Sequence, residues 1–91
     1  MNNNQPLILV VDDSTTNVVL LEAVLDEKGY LIETALNAKE AYSIIEQRPP
    51  DLILLDHLMP KLSGFDFLAQ IRNMESTRNT PVIIVSALTD E

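Results

Sequence analysis

An α/β fold built on a parallel sheet is predicted by three observations. Short apolar runs recur at 7–11, 52–55 and 82–85, with a mixed segment at 30–35 between the first two. The intervening stretches repeat their apolar residues at helical spacing, and Gly, Pro or a polar turn closes each one. Strands that alternate with helices imply parallel neighbours joined by right-handed crossovers, which place helices on both faces of the sheet.

The elements follow in order. Leu7 to Val11 is unbroken and rich in β-branched residues, as expected of a strand buried on both faces, and Asp12-Asp13 stops it. Ser14 or Thr15 caps the first helix, whose Val18, Leu21, Val24 and Leu25 are expected on the inner stripe, and Gly29 ends it. Tyr30 to Ala35 reads as a strand with one less buried side. Asn37 followed by Glu40 has the spacing of a helix-opening box, and Ala38, Ala41, Tyr42 and Ile45 form that helix's inner face. Pro49-Pro50 ends it, because proline lacks an amide hydrogen and disfavours helical geometry in the residue before it. Leu52 to Leu55 is the third strand, closed by Asp56. A loop with Met59-Pro60 leads through Ser63-Gly64 into a helix with Phe65, Leu68 and Ile71 inward, and a polar turn precedes the fourth strand, Val82 to Val85.

Composition narrows the function. The chain has 91 residues and 46% apolar content with few aromatics, which suits one small domain packed with aliphatic side chains. Fourteen acidic against six basic residues give a net charge of −8, a field that repels nucleic-acid phosphates and anionic lipid. No direct nucleic-acid or membrane partner is therefore expected. The polar start has no signal pattern and no apolar run is long enough to span a bilayer, which favours the cytoplasm. Cysteine is absent, so disulfide and thiolate chemistry are excluded, and His57 alone cannot build a zinc site.

Ligands of open parallel sheets bind at the carboxyl ends of the strands. Here the first strand ends in Asp12-Asp13, the third in Asp56 and the fourth in Ser86-Ala87, so three carboxylates and a hydroxyl are expected in one crevice. Two unit charges about 4 Å apart repel by roughly 4 kcal/mol at an effective dielectric near 20. A hard divalent cation offsets this, and magnesium favours one or two carboxylates, waters and phosphate oxygens. An aspartate beside magnesium can attack phosphorus, which makes Asp56 the candidate acceptor of an acyl phosphate. Ser86 would hydrogen-bond a phosphoryl oxygen, and the small Ala87 would leave the approach open. Each residue also has a plainer reading: Asp12-Asp13 as helix-capping residues, Asp56 as a turn former, Ser86 as an ordinary strand-end hydroxyl and His57 as a loop side chain. The three aspartates at two strand ends favour the site.

The acidic pair after an apolar strand, the Asp-x-x-Met-Pro of Asp56 to Pro60, the downstream Gly64 and the strand ending in Ser86-Ala87 together resemble a response-regulator receiver domain. The resemblance runs from about Leu7 to Leu88. It implies a flavodoxin-like doubly wound parallel sheet, ordered 2-1-3-4 here, with the family's fifth strand and last helices missing. It further implies a single receiver domain over 1–91, incomplete at its C-terminal end, with 1–5 a flexible polar tail. On this resemblance Asp56 receives a phosphoryl group from a histidine kinase, a phosphotransfer protein or a small phosphodonor. Magnesium is the cofactor, held directly by Asp13 and Asp56, through water by Asp12, and by the Leu58 backbone carbonyl. The family is a signalling switch with weak chemistry of its own rather than a true enzyme, and an effector domain beyond the chain would carry the output. The family's fifth-strand lysine and switching aromatic have no counterpart before Glu91, and Lys61 is not the matching position. The uncovered outer edge of the fourth strand is expected to meet further residues or, failing that, a second copy of the chain. Two rivals are weighed. A haloacid-dehalogenase-like phosphatase wants two aspartates one residue apart, whereas Asp12 and Asp13 are adjacent. A degenerate receiver would not need to keep Asp12, Asp13, Asp56 and Ser86.

Overall fold

The computed structural model describes residues 5–56 and 64–85, leaving aside the side chains of Asp56, Phe65 and Val85. Its elements run β1 (Leu7–Val11), α1 (Thr15–Glu27), β2 (Leu31–Ala35), α2 (Ala38–Gln47), β3 (Leu52–Asp56), α3 (Gly64–Arg72), a 3-10 turn (Glu75–Thr77) and β4 (Val82–Val85). The four strands form one parallel sheet in the order β2-β1-β3-β4. This is the expected doubly wound topology.

Position in the sheet explains the composition of each strand. β1 is central, flanked by β2 and β3, and all five of its residues are buried. Its alternate side chains enter two separate cores: Leu9 and Val11 pack with Ile53, Leu55, Ala41, Ile45, Phe67 and Ile71, while Ile8 and Val10 pack with Val18 of α1. Burying each such aliphatic side chain contributes about 1.5–3 kcal/mol. β2 lies at an edge, which accounts for its mixed sequence and its exposed Glu33. β4 forms the other edge among the described strands. Val82 and Ile84 pack on the α2–α3 side, whereas Ile83, alternating to the other face, is 52% exposed.

The helix signals act as the sequence proposes. Ser14 caps α1 by accepting a hydrogen bond from the Asn17 amide at 3.3 Å. At the far end Gly29 sits at φ 89°, with Tyr30 N donating to Leu25 O and Gly29 N to Asp26 O, the double hydrogen bond of a left-handed helix stop. Asn37 Oδ1 accepts from Glu40 N at 2.9 Å, and Glu40 Oε1 in return accepts from Leu36 N at 2.8 Å. The return bond thus lands one residue before the cap.

Three expectations change. Val24 is 54% exposed, so α1 faces inward through Val18, Leu21 and Leu25, one narrower row spaced three and four residues apart. Phe67, not singled out by the sequence reading, is fully buried and packs in one core with Ile71 one turn later. The polar turn before β4 contains the 3-10 turn, with Thr77 buried and its hydroxyl donating to Ile71 O at 2.7 Å. A buried threonine satisfied in this way has no signature in a hydropathy pattern. Residues 1–4 lie outside the described residues, and Gln5 donates from Nε2 to Gly29 O at 3.1 Å.

Candidate phosphoryl-acceptor site

The candidate site stands at the carboxyl edge of the two central strands. β1 and β3 pair in parallel with Val11 opposite Leu55, so one residue further along each strand brings Asp12 and Asp56 to the same level. Asp56 in turn pairs with Val85, the last residue of β4. The backbone register therefore gathers the ends of β1, β3 and β4 at one rim, as the switch-point rule for open α/β sheets requires.

Asp12 is 4% exposed, and the start of α1 holds it. Its backbone N–H donates to Ala35 O at 3.0 Å, extending the β1–β2 ladder by one residue. Its Oδ1 accepts from Ser14 N at 2.9 Å, and the Asn17 side-chain Nδ2 lies 3.4 Å from its Oδ2. A charged acceptor against a helix N-terminus is favoured both by these donors and by the helix dipole. Asp13, next in the chain, is exposed. The adjacent pair therefore divides into one held carboxylate and one open to solvent.

Leu58, Ser86 and Ala87 lie outside the described residues, as do His57, Met59, Pro60, Lys61 and Ser63. Among the described residues, which exclude the Asp56 side chain, no group of three His, Cys, Asp or Glu side chains is assembled. The residues brought to this edge offer carboxylate oxygen, the ligand type that magnesium takes. The sequence reading did not single out Asn17, although an amide three residues after the capping serine, where a glutamate is usual, was a visible signal.

Fold and site together define a receiver domain. The family model for the response regulator receiver domain matches residues 8–91, and the chain belongs to that family. It is 41% identical over 81 residues to the response regulator PleD of Caulobacter vibrioides, covering 89% of this chain and 18% of that protein. It is 37% identical to protein PilH of Pseudomonas aeruginosa, over 92% of this chain and 69% of that one. Among solved structures, it superposes on the chemotaxis protein CheY4 of Vibrio cholerae with a TM-score of 0.88 at 29% identity, over 94% of this chain and 72% of that one. The N-terminal domain of a response regulator receiver protein from Methanoculleus marisnigri gives 0.85 at 35% identity, over 94% and 70%. The chain thus spans about a fifth of the length of PleD. No helix among the described residues is long and apolar enough to cross a membrane.

Proposed function

We propose that this chain is the phospho-acceptor module of a two-component system and that Asp56 carries the phosphoryl group. The observation that carries this reading is the register of the central strands, which sets Asp56 level with Asp12 at the ligand-binding edge of the sheet. Asp13, Asp56 and the Leu58 carbonyl would hold magnesium directly, with Asp12 acting through water because both of its oxygens already face donors from α1. When bound, magnesium supplies charge screening for nucleophile and phosphoryl group.

A carboxylate oxygen of Asp56 forms the new bond to phosphorus. The phosphorus–nitrogen bond of a donor phosphohistidine breaks, and the released imidazole nitrogen takes a proton from water. Ser86 donates a hydrogen bond to a phosphoryl oxygen, and Ala87 keeps the approach open. The partners are a sensor histidine kinase or phosphotransfer protein and an effector domain beyond these residues. The short coverage of PleD supports an effector elsewhere in a longer protein. A second copy would pair along the outer edge of β4, the last strand in the order β2-β1-β3-β4. The low basic content and net charge of −8 support a signalling role without direct nucleic-acid contact.

Intact mass after incubation with acetyl phosphate and magnesium tests the assignment. One phosphoryl group should add to the chain and none to Asp56→Ala. Adduct on both, or on neither while the chain remains folded, removes Asp56 from the role. Continuous turnover of a phosphomonoester would favour a phosphatase instead.

A further inference from the structure

We propose that Asn17 is a positioning residue for the cation site, setting the orientation of the Asp12 carboxylate; the inference rests on the phospho-acceptor reading above. Asn17 occupies the third position of α1, and its backbone N–H is already engaged by the Ser14 hydroxyl that caps the helix. The usual residue here is Glu or Gln, whose side chain returns to the N–H of the cap. In this chain that N–H, Ser14 N, is taken by Asp12 Oδ1, and the Asn17 amide turns to Asp12 Oδ2 instead. The capping box is therefore rebuilt around a carboxylate that ends the neighbouring strand.

The choice of amide has an electrostatic consequence. A Glu at this position would gain from the helix dipole but would set a further negative charge against Asp12. Asn places a donor there without a charge. With its backbone bonded to Ala35, one oxygen to Ser14 and the other beside Asn17, the Asp12 carboxylate is held in a defined orientation. Groups that hold a direct metal ligand from behind commonly alter metal affinity by 10–100-fold, and because Asp12 acts through water Asn17 reaches no more than the low end of that range. At 3.4 Å the Asn17 contact is also long, which points the same way.

The test is calorimetric titration of magnesium into the 91-residue chain and its Asn17→Leu, Asp12→Asn and doubly substituted variants, with melting of each metal-free form. N17L should weaken magnesium about tenfold. Its metal-free melting temperature should stay close to that of the unsubstituted chain, since Asn17 is exposed. In the D12N background the same substitution should add almost nothing, because the oxygen it orients is gone. If N17L lowers the melting temperature instead, Asn17→Ala is read in its place. Equal magnesium affinity in the unsubstituted chain and the Asn17 variant, with D12N weakened, overturns the role of Asn17 and leaves the site intact. Absence of magnesium binding in every form overturns the site and the inference together.

Discussion

Leu7 and Asp51 grip each other at the base of the sheet: Asp51 N donates to Leu7 O and Leu7 N donates to Asp51 Oδ2, both at 2.8 Å. The pair closes the β1–β3 ladder at the end opposite the candidate site, and it sets the register that brings Asp12 level with Asp56. Asp51→Ala leaves the N–H of a residue that is 2% exposed without this acceptor. The expected loss is about 1–3 kcal/mol. Asp51→Asn keeps an acceptor oxygen and should lose less, and urea unfolding of the two variants measures the difference.

Arg72 anchors the approach to β4. Its Nη1 lies 3.1 Å from Thr77 O, 3.0 Å from Arg78 O and 2.6 Å from Thr80 O, so one guanidinium group gathers the carbonyls of the turn after α3. Arg72→Met should cost about 1.5–3 kcal/mol, the range for hydrogen bonds to a charged group. In a domain of this size that lowers the melting temperature by roughly 6–24 °C. Arg72→Lys should recover only part of it, because an ammonium is a compact point charge without the planar fork.

Phe67 joins the two helices on one face of the sheet. Its ring is fully buried and stacks on Tyr42 of α2, centroids 5.3 Å apart and planes 25° from parallel. Phe67→Ala should cost about 3–5 kcal/mol, a large share of the stability available to a small domain. Phe67→Leu should cost clearly less. Far-ultraviolet circular dichroism during thermal melting ranks the three chains.

Tyr42 adds a dependence on alkaline pH. Burial raises its hydroxyl above the ordinary tyrosine value, so the folded chain holds that proton more tightly than the unfolded chain does. The associated stability is present at pH below the unfolded tyrosine value and is lost as pH rises through the raised folded one. Tyr42→Phe should flatten this part of the alkaline stability curve, seen as a smaller fall in melting temperature between about pH 9 and 11. An unchanged curve would place the alkaline loss on other groups.

Residue pattern alone carried the architecture. The unbroken apolar run of β1, the weaker pattern of β2 and the Gly29, Asn37 and Pro49-Pro50 signals each report a local requirement: a two-sided core, an edge, a helix end. The three aspartates were visible for the same reason, since Asp12 and Asp13 directly follow the apolar run of β1 and Asp56 closes that of β3. Tertiary structure was needed wherever a residue answers to a neighbour distant in the chain. It turned Val24 out and Phe67 in, because the faces of α1 and α3 depend on which core each helix meets. It gave Arg72 three carbonyls to hold and Asp51 a partner 44 residues away. It also brought Asn17 against Asp12, a contact that hydropathy and periodicity do not encode because it is made by two polar groups meeting at a strand end and a helix start. Periodicity records how much of a chain must leave water, whereas the direction of a hydrogen bond exists only once both of its ends have been placed.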